Sequence, residues 1–572
     1  MSSYRPITLL SCIGKIFERI LQRRLEYILE KNNKLAVSQC GFRKGLGTMD
    51  ILLQIENIIR DSLQDNKICL IAYIDLKSAF DTVWDDAVIF KLNNFGIKGK
   101  LLKILYDFFK NRSIKVSLGG YESEDKIISA GTPQGSVLSP ILFNVMLSDL
   151  PQQEGINLHT YADDITITCV GADLKETKSR LQKYLSKLQK WSTDWNLKLN
   201  PQKCIMQYYT KRKMSYPILK IHNTVLKYEK NHKLLGLIFD APKLHWKKHV
   251  DYLIVESNRR LDLLKALSSS VWGASANILR TFYVLYIRSK IDYGSTIYGS
   301  ANQNYLKKLE VIQNKALRFI LGARNTSPII SMQAEAYLPP LNLHRGYLSI
   351  KQYIKLKYKP STSLTSTILK LNTDAEHFPF NSFTHRNKSF MTLVNLPKII
   401  RRETDTVPVF PPWESISEYV IYDCTNDVAD QAHFSNYMSN EFFDYVRVFT
   451  DGSKVSTEPI SVGCAAYFQR EKSTVCWKLR PNHSVLASEL YAIHGALLHI
   501  KNLPETCKYI ILSDSKSSLQ MISKSPKSYH TILGEIQSLL IYLNKKTTVI
   551  LHWVKAHCGM KLQTSSKLGS QK

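Results

Sequence analysis

The sequence predicts an α+β protein in which two catalytic units are joined by a linker region. The chain has 572 residues, of which 44% are hydrophobic, and this is enough for roughly three or four domains with their own cores. Apolar runs with β character alternate with helical periodicity in two parts of the chain, and both parts place acidic residues at the ends of such runs. Between them, residues 357–440 mix Pro, Ser, Thr and Asn with weak periodicity, which is typical of a linker.

Composition narrows the class of partner. The formal net charge of +29 favours a polyanion, with nucleic acid ahead of an acidic membrane surface. The ten cysteines include no CxxC pair and no Cys/His ligand spacing, which argues against a zinc site or a disulfide framework. No signal peptide and no apolar run of membrane-spanning length is visible, so we predict no membrane partner.

The first part of the chain alternates helices with strands. Helical periodicity marks five segments before residue 200, namely 13–31, 50–64, 86–111, 133–150 and 173–196. The near-continuous apolar run KICLIAYIDL predicts a buried strand that ends at Asp75. Short strands are predicted within 217–239, and residues 246–356 are mostly helical, basic and aromatic.

The stretch TYADDITITCV places Asp163 and Asp164 side by side between two β-like runs. In a flat strand these neighbours would point to opposite faces, but at the tip of a hairpin both can face one point. A divalent cation would relieve their mutual repulsion, and with Asp75 the three acids could hold two Mg²⁺ ions. A single Asp at a strand end is more often a turn former, so the prediction depends on the acids occurring together.

The second part begins with the β-rich stretch YVRVFTDGS and continues as a strand–helix alternation to residue 557. Asp451 ends a strand, Glu489 lies inside a helix and Asp514 ends another strand. Separated acids that converge at strand ends beside a helix can hold two metal ions at a scissile phosphate.

The ordered motifs IDLKSAFDTV, AGTPQGSVLSP, YADD, NLKLNPQKC and LLGLIFD resemble the reverse transcriptases of non-LTR (LINE-type) retrotransposons, near the jockey-like elements of insects. The resemblance covers roughly residues 2–345 and also includes SSYRPITLLSCIGKIFERIL and QCGFRKGLGTMDIL. It implies a right-hand polymerase fold with fingers, palm and helical thumb, and an RNA-directed DNA polymerase that copies RNA into DNA by two-metal nucleotidyl transfer. Asp75, Asp163 and Asp164 would then be its metal-binding catalytic carboxylates.

The same resemblance assigns roles to residues around these acids. Phe80 would be the steric gate that crowds a ribose 2′-OH, although without the motif an ordinary core aromatic is the better interpretation. Gln134 and Gly135 would lie against the incoming nucleotide and template. Arg43 would bind the triphosphate, and Lys203 would protonate or neutralise the departing pyrophosphate, whereas each cation taken alone is more often simply solvated.

The ordered motifs FTDGSK, ASELYAI, LSDSKSSL and HWVKAHCG resemble ribonuclease H type 1, which cuts the RNA strand of RNA–DNA hybrids with two Mg²⁺ ions. Asp451, Glu489 and Asp514 would be its metal-binding catalytic acids, and His557 would help product release. The family carries a fourth acid after this histidine, but the sequence has no Asp or Glu after His557. We therefore expect ribonuclease activity that is weak or absent.

These resemblances imply four segments. Residues 1–240 would be fingers and palm, 241–356 thumb or connection, 357–440 the linker region, and 441–572 an α/β ribonuclease H-like domain with a mixed sheet, C-terminally truncated or divergent. The implied partners are an RNA template, a DNA primer, RNA–DNA hybrid and dNTPs, with two Mg²⁺ per active site and Mn²⁺ as the alternative. The implied location is the nucleus and the cytoplasm. Elements of this kind usually encode an endonuclease upstream of the polymerase, and because the sequence starts almost on a polymerase motif, we expect a partial reading frame.

Two other interpretations stay open. A group II intron reverse transcriptase is opposed by the ribonuclease H-like tail and by the GFRKG form of the early motif. A catalytically silent nucleic-acid-binding remnant would agree with truncation at both ends. It is opposed by the retention of the six polymerase motif residues Asp75, Phe80, Gln134, Asp163, Asp164 and Lys203.

Overall fold

The computed structural model describes residues 7–128, 130–269, 271–357, 383, 386–387, 414–422, 431–455, 461–503, 507–524 and 531–555. The chain divides into two compact units, Met1–Thr406 and Val407–Lys572. The four-segment division of the sequence stays a prediction, and most of residues 357–440 lie outside the described part.

The first unit is built around an antiparallel sheet whose central strand is β1, Ile68–Ile74. Strand β1 pairs with β7, Asp164–Gly171, on one side and with β8, Ile205–Tyr209, on the other. Strand β6, Ile156–Tyr161, extends the sheet beyond β7, and β11, Lys227–Tyr228, pairs parallel to β8 at the other edge. The shorter strands are β2 Arg112–Ile114, β3 Ser117–Leu118, β4 Tyr121–Glu122, β5 Lys126–Ile128, β9 Lys220–Ile221, β10 Thr224–Val225, β12 Asn231–Leu234 and β13 Leu237–Asp240.

Helices cover both faces of this sheet. In chain order they are α1 Cys12–Lys31, α2 Thr48–Gln64, α3 Asp85–Asn94, α4 Gly99–Phe109, α5 Ser139–Met146, α6 Leu174–Asp194, α7 Lys247–Leu267, α8 Ala276–Phe282, α9 Ser289–Asp292, α10 Ser295–Tyr298, α11 Gln303–Leu321, α12 Ile329–Glu335 and α13 Leu341–Lys357, with a π-helical turn at Tyr283–Arg288. Alternate side chains of β1 enter two different cores, one shared with α2 and α7 and the other with α5 and α6. Burial on both faces explains why β1 reads as a continuous apolar run.

Most predicted elements of this unit are confirmed, and two helix predictions are wrong. The predicted helix at 86–111 is two helices, because the chain turns after Asn94 and Gly96 adopts a φ of +89°. Within the predicted helix at 133–150 only Ser139–Met146 is an α-helix. Residues 133–138 form a turn in which Gly135 has a φ of +120°, a conformation open mainly to glycine.

The second unit contains a mixed sheet, as predicted. Strands β15 Tyr445–Val455, β16 Ser461–Phe468 and β17 Ser473–Leu479 are antiparallel, whereas β18 Lys508–Ser513, β19 Val549–Trp553 and β14 Val420–Ile421 continue in parallel from β15. The helices are α14 Gln431–Glu441, α15 Val485–Lys501, α16 Lys516–Ser523 and α17 Thr531–Asn544, with a 3-10 turn at Ser417–Tyr419. Apolar residues of α15 and α17 pack with β15, β18 and β19 in one core. Across both units, none of the described helices combines the length and apolar character needed to span a membrane.

Candidate active sites

Three acids lie at one end of the sheet of the first unit, and we call them the hairpin triad: Asp75, Asp163 and Asp164. Ile74, the last residue of β1, pairs with Ile165 of β7, so Asp75 follows β1 beside the start of β7. Asp164 begins β7 and pairs with Tyr161, which makes Asp163 part of a two-residue turn. The predicted hairpin is therefore confirmed, and its turn lies beside the end of β1 that precedes Asp75.

The hairpin turn requires an unusual backbone conformation. Ala162, the first turn residue, has a φ of +55°. Left-handed backbone costs an alanine about 1 kcal/mol, so neighbouring contacts must hold it in place. Two-residue hairpin loops use positive φ because it matches the twist of the strands.

The side chain of Gln39 holds this turn through two hydrogen bonds to Ala162. Its side chain is fully buried; Oε1 accepts from the Ala162 N–H at 3.2 Å and Nε2 donates to the Ala162 carbonyl at 3.3 Å. Oε1 also accepts from the Gly41 N–H at 2.9 Å, and a Cβ on Gly41 would lie 2.3 Å from the Ala162 nitrogen. Sequence reasoning missed Gln39, although it lies inside the quoted QCGFRKG motif.

Asp75 is fixed by the turn that precedes β8. The Asn200 side-chain amide donates to Asp75 Oδ2 at 3.1 Å, and the Asn200 backbone N–H donates to the Asp75 carbonyl at 2.9 Å. Lys203 lies in the same turn, where its N–H donates to the Asn200 carbonyl, and its side chain is exposed. The structure thus places the exposed ammonium group of Lys203 in the same turn as Asn200, the residue that orients Asp75.

The hairpin triad is electrostatically coupled. The pKa of Asp164 is raised to about 6, first because surrounding protein atoms desolvate its carboxyl and then because the charges of Asp163 and Asp75 oppose its ionisation. Such coupling requires that the three carboxyl groups lie near one another. A cation bound there would lower this repulsion, so the donor set fits a divalent metal ion.

Phe80 forms part of an aromatic cluster next to this region. Its ring stacks on Phe143 with centroids 4.5 Å apart and meets the edge of Phe42 at 6.3 Å. The Thr132 N–H donates to the Phe80 carbonyl at 2.7 Å and so joins the Phe80 loop to the turn after it. Phe80 is only partly buried, and its role as a steric gate stays a prediction.

Gln134 and Gly135 lie in a turn that is held by the N-terminal segment. The Gln134 amide donates to Asp81 Oδ1 at 2.8 Å, and the Gln134 carbonyl accepts from the Thr8 N–H at 2.8 Å. A Cβ on Gly135 would lie 2.7 Å from the Thr8 carbonyl oxygen, so the close approach there is made to protein backbone. The predicted nucleotide contacts of both residues stay predictions.

Arg43 is engaged inside the protein. Its Nε and Nη2 donate to the two carboxylate oxygens of Glu30 at 2.8 and 2.6 Å, and Nη1 donates to the carbonyls of Ala36 and Gln39. Glu30 is itself buried. In this structure the bidentate pair fixes the loop that carries Gln39, and binding of a triphosphate by Arg43 stays a prediction.

The second unit contains a more compact set of acids, the helix triad: Asp451, Glu489 and Asp514. Asp451 lies inside β15 and not at its end as predicted, because pairing with β16 continues to Val455. Glu489 lies in α15 and Asp514 directly after β18, as predicted. One carboxylate oxygen from each of the three residues lies within 4.8 Å of the other two. Among the described residues, no other group of three or more acids, cysteines or histidines brings its ligand atoms this close. The predicted convergence of these three residues is therefore seen directly.

Glu489 is the buried member of the helix triad. Its Oε1 accepts from the Gly452 N–H at 3.2 Å, whereas its buried Oε2 has no hydrogen-bond partner among the described residues. Burial, followed by the charges of Asp514 and Asp451, raises the pKa of Glu489 to about 8. A buried carboxylate oxygen that lacks a donor fits coordination of a cation.

The close approach of α15 to β15 depends on Gly452. A Cβ at this position would lie 2.5 Å from the Glu489 nitrogen, so any larger residue would displace the helix from the strand. Asp514 is placed by Trp553, whose indole N–H donates to the Asp514 carbonyl at 3.0 Å. His557 lies outside the described residues, so its predicted role in product release stays a prediction.

Comparison with known proteins supports a separate assignment for each unit. Residues 1–256 match the family model described as reverse transcriptase (RNA-dependent DNA polymerase), and residues 444–566 match the model described as RNase H. Both domain resemblances of the sequence are thereby confirmed.

Curated relatives are similar to the first part of the chain. The RNA-directed DNA polymerase from mobile element jockey of Drosophila melanogaster is 30% identical over 331 residues, which are 56% of this chain and 36% of the relative. The probable RNA-directed DNA polymerase from transposon BS of the same organism is 31% identical over 329 residues, again 56% of this chain and 36% of the relative. The chain therefore spans about a third of the length of these relatives.

Solved structures add little to this assignment. The apo telomerase from Candida tropicalis is 12% identical with a TM-score of 0.32 and covers 64% of this chain and 60% of its own. The foamy viral protease-reverse transcriptase in complex with RNA/DNA hybrid is 13% identical with a TM-score of 0.21 and covers 89% of this chain and 66% of its own.

Proposed function

We propose that this chain is the RNA-directed DNA polymerase part of a non-LTR retrotransposon protein, with an appended ribonuclease H domain. The observation that carries the proposal is the hairpin triad, in which Asp75 lies beside the YADD turn inside the segment that matches the reverse transcriptase family. The substrates would be an RNA template, a DNA primer and dNTPs. The location would be the cytoplasm for assembly with RNA and the nucleus for integration.

The first unit would act as a right-hand polymerase. The sheet of β6, β7, β1 and β8 would be the palm, because it carries the hairpin triad at one end. The N-terminal helices and the small strands between residues 112 and 128 would contribute the fingers. The helices from α7 onward would form the thumb and contact the phosphate backbone of a duplex, which makes binding salt-dependent.

The chain's own residues would mainly position the reactants. Asp75 and the hairpin acids would hold two magnesium or manganese ions, which would stabilise charge on the attacking and leaving oxygens. Gln39 and Asn200 would keep these carboxylates oriented, and Lys203 would donate a proton or a positive charge to the departing pyrophosphate. Phe80 would exclude a ribose 2′-OH. Holding the 3′-hydroxyl and the nucleotide in line supplies most of the rate acceleration in such a reaction.

The second unit would recognise RNA–DNA hybrids. The helix triad would hold two divalent ions at a scissile phosphate, and the partnerless Oε2 of Glu489 supports this use. Weak or absent hydrolysis of the RNA strand, as expected from the sequence, stays a prediction.

Primer extension tests the proposal directly. Full-length protein is incubated with poly(rA)–oligo(dT), dTTP and Mg²⁺, beside an Asp163→Ala variant and a sample with EDTA. We expect incorporation by the wild type and none in either control. No incorporation by the wild type would instead favour a silent nucleic-acid-binding remnant.

A labelled RNA–DNA hybrid tests the second unit in the same preparations, with Glu489→Gln as the control. Cleavage that depends on Mg²⁺ and is lost in the Glu489→Gln variant supports a working ribonuclease site. Robust cleavage by the wild type would overturn the expectation of weak activity, whereas cleavage unaffected by the substitution would exclude the helix triad as its source.

A further inference from the structure

A basic cavity lies in the first unit, away from the hairpin triad. It has a volume of about 1250 Å³. Its walls come from the β12–β13 hairpin and from the starts of α7 and α11. Its lining includes Lys230, Lys243, Lys247 and Lys248. We call it the distal basic cavity.

Strand register fixes the position of this cavity relative to the catalytic acids. Tyr73, near the Asp75 end of β1, pairs with Ile205, and Cys69, near the other end, pairs with Tyr209. The N–H of Thr210, directly after β8, donates to the carbonyl of Pro242 in the cavity wall at 3.1 Å. At ~3.3 Å per strand residue the cavity lies roughly 20 Å from Asp75, at the opposite end of the sheet.

The four lysines of this cavity differ from its two arginines, Arg60 and Arg386, which both pair with Glu56. The side chains of Lys230, Lys243, Lys247 and Lys248 are all exposed, and none forms an ion pair with an acidic residue in the described part of the chain. Asp240, the acidic side chain in the lining, accepts instead from the backbone N–H groups of Trp246 and Lys247. Four neighbouring ammonium groups with one carboxylate in the same lining leave a net positive potential, which attracts a polyanion.

Two of these lysines occupy positions that disfavour the fold. Lys247 and Lys248 are the first two residues of α7, whose first turn contains no acidic residue. A cation at a helix N-terminus opposes the helix dipole and costs about 0.3–1 kcal/mol. The Asp240 carboxylate, which accepts from the N–H groups of Trp246 and Lys247, offsets part of this cost.

The remaining wall is rigid and offers an aromatic face. Arg60 donates to the Leu244 carbonyl and to Ser300 Oγ. These bonds connect the segment before α7 with the loop before α11. The Tyr305 ring lines the cavity, with the Lys247 ammonium group 5.6 Å from its centroid. Tyr305 is partly buried, and lysines beside an aromatic side chain are the combination that proteins use for unpaired nucleotides.

We propose that the distal basic cavity binds a single-stranded nucleic-acid segment, with the four lysines on its phosphates and Tyr305 stacked on a base. Its volume exceeds the range of ~300–1,000 Å³ common for small-molecule sites, which suits a strand of a few nucleotides. That this strand is template RNA beyond the copied region rests on the proposed function. The binding itself does not require polymerase activity.

Equilibrium binding in EDTA separates this proposal from catalysis. The triple variant Lys243→Ala/Lys247→Ala/Lys248→Ala is compared with wild type by fluorescence anisotropy, using a labelled 20-nucleotide RNA and a blunt RNA–DNA hybrid of the same length. We expect affinity for the single strand to fall about tenfold to a hundredfold near 0.1 M salt, and the slope of log K against log salt to decrease by about 2. Affinity for the hybrid should fall at least fivefold less.

A matched variant controls for net charge. Lys183→Ala/Lys187→Ala/Lys190→Ala removes three exposed lysines from α6, outside the cavity, and should keep single-strand affinity within twofold. Tyr305→Leu keeps every charge and should lower single-strand affinity alone, without changing the salt slope. An unchanged affinity in the cavity variant, an equal loss in the α6 variant, or an equal loss for the hybrid would overturn the proposal. Because no dNTP or metal is present, failure of primer extension would leave this test unaffected.

Discussion

The helix triad and the hairpin triad use the same residue types but are built differently. Asp451, Glu489 and Asp514 converge from two strands and a helix, with their oxygens within 4.8 Å of one another. The hairpin triad belongs to two adjacent strand ends, and its geometry depends on a turn with a left-handed Ala162. The first is therefore fixed by packing of a buried core, whereas the second is fixed by hydrogen bonds from Gln39 and Asn200.

This difference also appears in the electrostatics. Burial raises the pKa of Glu489 to about 8, but the pKa of Asp164 only to about 6. Glu489 is thus mainly protonated at neutral pH without a cation, whereas Asp164 is mainly ionised. A triad with one buried carboxyl and a triad with none should respond differently to mutation, metal and pH.

The largest expected effect is loss of one activity by a single substitution. Asp75→Asn should lower primer extension by about 10³-fold, because a metal ligand that acts in the transition state contributes several kcal/mol. Asp451→Asn should leave primer extension within twofold, since it changes only the helix triad. Steady-state dTTP incorporation by both variants measures this, and a similar loss in both would contradict the separation of the two sites.

The next effect should come from the hydrogen bonds that hold the hairpin. Gln39→Ala removes two of them, both to Ala162, and a third to Gly41. Misplacement of the acids by about 1 Å should lower kcat about tenfold to a hundredfold while the KM for dTTP changes less than threefold. Gln39→Glu keeps the acceptor but loses the donor to the Ala162 carbonyl, and should be intermediate.

Gln207 provides the matched control for this prediction. It is equally buried in the same sheet and donates to the Phe239 carbonyl, but it does not contact the hairpin turn. Gln207→Ala should lower the free energy of unfolding by about 1–3 kcal/mol, as an unsatisfied buried partner does, without the selective loss of kcat. Equal kcat losses at matched stability would show that Gln39 has only a structural role.

A smaller effect is expected in nucleotide selectivity. Phe80→Val should relax discrimination against ribonucleotides by about tenfold, because the smaller side chain no longer crowds a 2′-OH. Competition between dTTP and UTP in primer extension measures the ratio. Phe143→Leu, which removes the stacked ring but keeps Phe80, tests whether loosened packing alone explains the change. Unchanged selectivity in Phe80→Val would remove the assignment of the steric gate.

Local patterns predicted most of this architecture, and long-range contacts account for what was missed. The apolar run before Asp75 and the alternation after Asp164 identify β1 and β7 because both signals lie within single strands. The helix predicted at 133–150 fails because the turn at Gln134 is stabilised by Asp81 and Thr8, far away in the sequence. Gln39 and Asn200 were missed for the same reason, since nothing local shows that a polar side chain will meet a distant turn.

The smallest effect, and the most direct measure of the two environments, is the pH dependence of stability in EDTA. A carboxyl whose pKa is higher in the folded than in the unfolded chain binds more protons when folded, so stability falls as pH rises between the two values. For Glu489 this window runs from its ordinary value of 4.5 to about 8, and for Asp164 from 3.8 to about 6. Between pH 6 and 8, therefore, the second unit should lose stability further while the contribution of Asp164 is already constant.

Adding Mg²⁺ should restore more stability at pH 8 than at pH 5, and Glu489→Gln should remove the loss between pH 6 and 8. Thermal unfolding followed at each pH for wild type, Glu489→Gln and Asp164→Asn measures both windows; a loss between pH 6 and 8 that persists in Glu489→Gln would mean that the buried helix triad is not its cause.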